Sequence, residues 1–209
     1  MIYIFLIPFL LTPIATVAAL IYAYKKLSRS NFLLLLLVML LLVAAPFAAF
    51  KIYERNFLLS FIPDALGVHS ISYREEESWG FGPGGNEAGI RVYPLSKEIA
   101  SQITEHGIAF LHNMPPNQHQ RNRRWQGDYS NWSETPIKPG HHWGPNEKTK
   151  TFNIYDYICA YGFCIDIKPE IAEEANWIIN SPGSYYAYGR IGVIIVSPAR
   201  KMILYLYNG

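Results

Sequence analysis

The first 50 residues contain no Asp or Glu, and their only Lys or Arg residues are Lys25, Lys26 and Arg29. Two apolar runs, residues 2–24 and 31–50, flank these three cations. At ~1.5 Å of helical rise per residue, each run is long enough to cross a hydrocarbon core of roughly 30 Å. A core helix of a soluble protein is usually shorter and has a polar face, which neither run has. The sequence therefore predicts an integral membrane protein with a two-helix transmembrane hairpin over residues 1–55, embedded in the lipid bilayer.

The rest of the chain lacks an excess of either charge. The eighteen basic residues of the whole chain minus these three leave fifteen, against sixteen acidic residues that all lie beyond residue 50. Nucleic-acid binding normally needs a clustered basic face. We therefore expect no nucleic-acid partner.

The orientation of the hairpin follows from its basic residues. The short connector, residues 25–30, holds three of them, whereas Lys51 and Arg55 follow the second helix and none precedes the first. Basic residues in short loops tend to stay on the cytoplasmic side. The count predicts a two-pass protein of the plasma or inner membrane, with a cytoplasmic connector and both termini outside the cytoplasm.

Only two cysteines are present, Cys159 and Cys164. Their flanks have the composition of strands around a turn at Tyr161 and Gly162, which would let the two thiols face each other and form a disulfide. Two free thiols in the core are the alternative. Their spacing is not the Cys-x-x-Cys of redox enzymes, and no further cysteine could complete a metal site.

Residues 56–209 predict an extramembrane α+β domain in which about two helices cover one face of a mainly antiparallel sheet. The helices are expected at 97–105, between the N-cap Ser96 and Gly107, and from Pro169 to about residue 180. Alternation and β-propensity predict strands at 68–79, 87–93, 108–112, 151–159, 164–167, 185–196 and 201–207. The last two should form a central hairpin. The three consecutive glutamates, residues 75–77, are expected on a solvated strand edge that resists further pairing.

A long irregular loop is predicted at residues 113–150. It lacks helical and strand periodicity, yet its tryptophans supply more apolar area than disordered tracts have, so it should pack partly against the domain. Loops of this length are uncommon in compact domains unless they are functional. The predicted binding residues all lie in it: Arg121, Arg123, Arg124, Trp125, Trp132, His141, His142 and Trp143.

The arginines beside Trp125 could contact lipid headgroups, an acidic glycan or an acidic partner, although three arginines in a loop are also commonplace. The pair His141 and His142 could bind a metal or supply a base near Asp128 or Glu134, and a solvated or packed loop is the alternative. No His-Glu-x-x-His or Gly-x-Ser-x-Gly motif fixes a mechanism. We therefore predict no catalytic residue, no bound metal and no cofactor, and the residues indicate no characterised family.

Three functions are compatible with these patterns. The first is a membrane-anchored extracytoplasmic binding or accessory module whose loop contacts a protein partner or envelope component. The second is an envelope hydrolase or metal-dependent enzyme that uses His141 and His142. The third is a small subunit of a larger membrane complex, since the prolines in the first predicted helix could be accommodated against other helices.

Overall fold

The computed structural model describes residues 20–79, 86–118, 125–140, 143–162 and 164–209. The chain divides into two compact units, Met1–Arg55 and Asn56–Gly209. In the first unit, residues 20–26 are helical and α1, Arg29–Leu59, follows almost at once. Ser28 begins α1, because its Oγ accepts a hydrogen bond from the Asn31 N–H at 3.4 Å and its carbonyl accepts one from the Phe32 N–H at 2.9 Å. The connector is therefore shorter than the predicted residues 25–30.

Helix α1 has 31 residues and contains the second predicted membrane helix. None of its most apolar 18-residue stretch is buried against the rest of the protein, unlike a helix in a soluble core. Among the described residues it is the one helix long and apolar enough to cross a membrane. Most of the first predicted helix, residues 2–24, lies outside the described residues. The two-pass hairpin therefore stays a prediction.

The second unit is built on one antiparallel sheet, as predicted. Its strands are β1 Tyr73–Trp79, β2 Asn86–Pro94, β3 Ser133–Glu134, β4 Tyr185–Tyr188, β5 Gly192–Ser197 and β6 Met202–Asn208. They lie in the order β1-β2-β6-β5-β4-β3, so the predicted hairpin of β5 and β6 is central. The predicted strand 185–196 is in fact two strands. The Gly189 N–H donates to the Gly192 carbonyl at 2.7 Å and closes a turn between β4 and β5.

The helices of this unit are α2 Lys97–His106, α3 Ile108–His112, α4 Ile154–Ile158 and α5 Pro169–Asn180, with a 3-10 turn at Asp64–Leu66. The predicted ends of α2 are confirmed. The Ser96 Oγ accepts from the Ile99 N–H at 3.2 Å, and Gly107 ends the helix with a φ of 59° that costs glycine little. Pro169 occupies the predicted first turn of α5.

Three strand predictions are wrong. Residues 108–112 form α3, and residues 154–158 form α4, begun by an Asn153 side chain that accepts from the Tyr155 N–H at 3.0 Å. The buried residues of α4 are Ile154, Tyr157 and Ile158, which is helical spacing. Short apolar runs rich in β-branched and aromatic residues fit either pattern, so periodicity alone cannot assign them. Residues 164–167 have no regular structure, so the cysteines do not lie in a β-hairpin.

Helical layers cover both faces of the sheet, not one as predicted. Successive strand residues point to opposite faces, and side chains from alternate positions of β2, β5 and β6 form two separate cores. One core packs Ile90 and its neighbours against α4 and α5. The other packs Tyr93 and its neighbours against α2, α3 and the segment just beyond α1. Arg91 points to this second face.

Candidate functional site

The most unusual group in the domain is a charged side chain inside the second core. Arg91, on β2, is only 4% exposed. Its guanidinium carbon lies over three aromatic rings, 4.5 Å from the centroid of Tyr207, 5.0 Å from that of Phe61 and 5.9 Å from that of Tyr205. Ring faces attract cations, and the attraction grows when water is excluded. The rings therefore replace part of the hydration that Arg91 loses.

Glu76, on β1, supplies the counter-charge. Its Oε2 accepts from Arg91 Nε at 3.2 Å and from Arg91 Nη2 at 3.0 Å. The Tyr207 hydroxyl donates to the same oxygen at 2.5 Å and accepts from Arg91 Nη2 at 3.0 Å. The other oxygen, Oε1, accepts from Arg74. We call Phe61, Arg74, Glu76, Arg91, Tyr205 and Tyr207 the Arg91 cluster.

Strand register explains why these residues meet. Arg74 is opposite Arg91, which is opposite Tyr205, and Glu76 is opposite Gly89, which is opposite Tyr207. Directly opposed residues share a face of the sheet. Glu76 therefore reaches Tyr207 across Gly89, which has no side chain to separate them.

The cluster fixes the protonation of its members. Burial alone would raise the pKa of the Glu76 carboxyl, but the bonds from Arg74 and Tyr207 and the charge of Arg91 hold that pKa below its usual value. Burial raises the pKa of Tyr93 to about 12 and that of Tyr205 and Tyr207 further. At neutral pH the carboxylate is therefore ionised and the phenols are neutral.

Three glycines make room for the aromatic rings of this face. A Cβ on Gly89 would overlap the ring of Tyr207, and one on Gly192 would meet the ring of Tyr205. A Cβ on Gly189 would lie 2.9 Å from the ring of Tyr129. Glycine inside a strand often marks such a close approach. The three rings therefore pack directly against the backbone at these glycines.

Two tyrosine hydroxyls hold the chain where α1 ends. The Tyr93 hydroxyl donates to the carbonyl of Leu58, and the Tyr129 hydroxyl donates to the carbonyl of Phe61, both at 2.9 Å. The last four carbonyls of a helix have no partner inside the helix. These two hydroxyls therefore fix the segment around residues 58–61 on the second core.

The chain just beyond α1 also holds the long loop, through Phe61 and Asp64. Asn117 accepts from the Asp64 N–H and donates to the Gly127 carbonyl, both at 2.9 Å, and the Gln118 N–H donates to the Asp64 carboxylate at 2.7 Å. The Trp125 ring packs edge-on against Phe61 at 5.9 Å. Residues on both sides of positions 119–124 are thus held against the chain just beyond α1.

The predicted binding residues do not form one cluster. Trp125 is half-buried beside Phe61, and Trp132 is 4% exposed in the second core. Trp143 is 3% exposed in the first core, on the other face of the sheet, where its Nε1 donates to the Asn153 carbonyl at 3.2 Å. The tryptophans therefore anchor the loop on both faces.

The remaining predicted binding residues, Arg121, Arg123, Arg124, His141 and His142, lie outside the described residues, and a binding role for any of the eight stays a prediction. Within the described ranges no group of three or more His, Cys, Asp or Glu side chains could hold a metal ion. The metal hypothesis depends on two histidines beyond those ranges and so stays a prediction too.

The predicted disulfide between Cys159 and Cys164 is present. It joins the residue after α4 to the chain beyond a turn in which Gly162 has a φ of 83°. Tyr161, inside the bridged turn, is 69% exposed. A helix end followed by a turn thus brings the two cysteines together, where the sequence suggested a pair of strands.

Sequence reasoning missed the Arg91 cluster. Glu76 was expected on a solvated edge, and its side chain is instead about three-quarters buried against Arg91. One signal was available: in Ile90-Arg91-Val92-Tyr93 the alternation puts Arg91 on the same face as Tyr93, a face too aromatic to be solvated.

No family model, no curated protein and no solved structure matches this chain. Its function is therefore argued from its own residues and geometry.

Proposed function

We propose that this protein is a two-pass membrane-anchored binding module whose domain, residues 56–209, lies outside the cytoplasm. In this proposal the loop at residues 113–150 contacts a protein partner or an envelope component. The observation that carries it is the anchoring of the loop: Asn117, Gln118 and Trp125 are held on the segment that follows α1.

The anchored residues Gln118 and Trp125 flank a short cationic stretch of the loop. Positions 119–124 read His-Gln-Arg-Asn-Arg-Arg, with three cations in six residues. Loops on a rigid scaffold are common sites of recognition, and arginine pairs well with carboxylate and phosphate groups. Phe61 follows the last residue of α1 by only two positions. The described residues on either side of these cations therefore contact the chain that follows α1.

Two observations support the extracytoplasmic location. The Cys159–Cys164 disulfide is typical of oxidising compartments, since cytosolic thiols are kept reduced. The basic residues Lys25, Lys26 and Arg29 favour a cytoplasmic turn before α1, which would send the end of α1 outward. Both point to the same side of the membrane.

The binding proposal is tested with two charge-matched variants. The test variant replaces Arg121, Arg123 and Arg124 with Ser, and the control replaces Lys138, Lys148 and Lys150 with Ser. Both remove three cations from the same loop, but only the first removes those between the anchors. Each is expressed in membranes of the source organism and crosslinked, and its complexes are sized after solubilisation.

We expect the crosslinked complex to persist in the lysine variant and to disappear in the arginine variant. A complex that survives in the arginine variant, or that disappears equally in both, contradicts a binding role for residues 119–124. Unchanged urea unfolding of both variants shows that the domain itself is intact.

Topology is tested separately with a membrane-impermeant maleimide on intact cells. If the domain is extracytoplasmic, Cys159 and Cys164 are labelled from outside only after reduction with an external phosphine. Labelling that requires permeabilised cells would place the domain in the cytoplasm.

A further inference from the structure

The sheet ends in two unequal edges. β3, at one edge, has only two residues, whereas β1, at the other, has seven and pairs with β2 along its whole length. Arg74, Glu77 and Ser78 are exposed along β1. An edge strand offers unpaired backbone groups to a further strand, and proteins often limit this by keeping edge strands short. Of the two edges, the one at β1 is long enough to accept another strand.

The pairing of β2 determines which backbone groups of β1 point outward. Glu87 and Gly209 each donate their N–H to the carbonyl of the other, so the odd-numbered residues of β2 bond to the strand β6. The even-numbered residues of β2 therefore bond to β1, where their partners are odd-numbered. The N–H and C=O groups of Glu76 and Ser78 thus point away from β2, and no described residue bonds to them.

The side chains along this edge carry opposite charges on the two faces of the sheet. Glu75 and Glu77 point to one face and Arg74 to the other, because successive strand residues alternate. Neither Glu75 nor Glu77 is in an ion pair with a described residue. A second copy of β1 paired antiparallel around Glu76 would place Glu75 opposite Glu77, and like charges directly opposed destabilise a strand pair. The edge therefore disfavours the protein's own copies and favours a basic strand.

From these observations we propose that the outer edge of β1 binds an extended segment of a protein partner, in which basic residues alternate with uncharged ones. The basic side chains lie on the face of Glu75 and Glu77, and the uncharged ones lie on the face of Arg74. In strand addition of this kind, backbone hydrogen bonds supply affinity and alternate side chains supply specificity. This surface is separate from the loop at residues 113–150, so it goes beyond the binding role proposed for that loop.

The test uses the full-length protein in non-ionic detergent micelles, with binding of labelled peptides measured by fluorescence anisotropy. The probe is a peptide of about eight residues, within the usual length of a strand, in which lysine alternates with threonine. A control peptide alternates glutamate with threonine. Two further peptides are the lysine probe with N-methyl groups, either on every threonine nitrogen or on every lysine nitrogen.

The two methylated peptides have the same charge and mass but block opposite edges of the added strand. Directly opposed residues share a face, so the threonines lie opposite Glu76 and Ser78 and turn their N–H groups toward β1. Methyl groups on the threonine nitrogens remove these bonds, whereas those on the lysine nitrogens point to the outer side. Loss of one or two net hydrogen bonds corresponds to about tenfold in Kd. We expect the threonine-methylated peptide and the glutamate peptide to bind at least about tenfold more weakly than the other two.

Charge reversal assigns the binding to β1. Glu75→Lys combined with Glu77→Lys should reverse the preference, so that the glutamate peptide binds more tightly than the lysine peptide. Glu170→Lys combined with Glu173→Lys makes the same change at two exposed residues of α5 and should leave the preference unchanged.

Ser78→Pro tests the backbone of the edge directly. It removes an outward N–H and leaves the bonds to β2 in place, a position where an edge strand tolerates proline. The lysine peptide should then bind at least about tenfold more weakly, while unchanged urea unfolding shows that the domain is intact. If Ser78→Pro does not fold, the two methylated peptides decide in the unchanged protein.

Four results would each overturn the inference. Equal binding of the two methylated peptides would mean that charge alone is read, and equal binding of the lysine and glutamate peptides would mean that charge is not read. The other two are the absence of saturable binding by the lysine peptide and full binding of that peptide by a folded Ser78→Pro variant.

Discussion

Glu76→Gln tests the charge of the second core separately from its packing, because it removes one charge and changes almost no side-chain volume. In the variant, Arg91 stays buried with no carboxylate beside it, and the new amide turns an N–H group toward one of its two former donors. Removing one partner of a fully buried ion pair costs about 3–5 kcal/mol. The Glu76 side chain is 26% exposed and Gln keeps one acceptor oxygen, so we expect a loss of about 2–4 kcal/mol in the free energy of unfolding.

The matched control is Glu77→Gln, the same change one residue along the strand. Glu77 is exposed and points to the opposite face, away from Arg91. Exposed substitutions of this kind usually change the free energy of unfolding by less than about 0.5 kcal/mol. Urea unfolding of the full-length protein at pH 7, followed by tryptophan fluorescence, measures both variants. Equal stabilities for the two would refute the view that Glu76 neutralises Arg91.

The pH dependence gives a second check on the same residue. The folded pKa of Glu76 is below its ordinary value of 4.5, so the unfolded chain takes up its proton at a higher pH than the folded protein does. The stabilisation from Glu76 is therefore complete above pH 4.5 and is lost as the pH falls through the folded pKa. The stability difference between the unchanged protein and Glu76→Gln should be constant from pH 7 to about 5 and shrink below that. A difference that grows on acidification would contradict the assignment.

Three further predictions concern the scaffold around the cluster. Gly89→Ala should destabilise the domain by about 1–3 kcal/mol in urea unfolding, because its Cβ would overlap the Tyr207 ring, whereas Gly140→Ala, with open space around it, should be nearly neutral. Asn117→Ala should lose about 1–2 kcal/mol and speed tryptic cleavage between residues 119 and 124, since two hydrogen bonds at the base of the loop disappear. Reduction of the Cys159–Cys164 bond should lower the stability by about 2 kcal/mol, the value for a short closed loop, in unfolding experiments with and without reductant.

The parts of the fold that could be predicted from sequence are those with a local physical signature. Ser96 and Gly107 mark the ends of α2 through a cap and a positive φ, and Pro169 marks the start of α5. The central hairpin of β5 and β6 is visible because both strands are long apolar runs. Each of these signals involves residues close together in the chain.

The wrong strand prediction at residues 154–158 has a tertiary cause. The segment 154–158 has strand-like composition, yet Asn176 accepts from the Ile154 N–H at 2.9 Å and Asn180 accepts from the Phe152 N–H at 2.8 Å. These side chains of α5 fix the start of α4 from 22 and 28 residues away. Composition and periodicity carry no information about such a contact.

The Arg91 cluster shows where sequence reasoning could have gone further. A charged residue at a buried position of a strand is costly unless it is paired, so Arg91 on the same face as Tyr93 already implied a carboxylate on that face of the sheet. What the sequence could not supply was the register that selects Glu76 rather than Glu75 or Glu77, since a one-residue shift would turn Glu76 to the other face. Gly89 completes the cluster, because a Cβ there would overlap the Tyr207 ring, whose hydroxyl bonds to Glu76 across β2. The register therefore selects Glu76 among the three adjacent glutamates, and Gly89 lets Tyr207 bond to it.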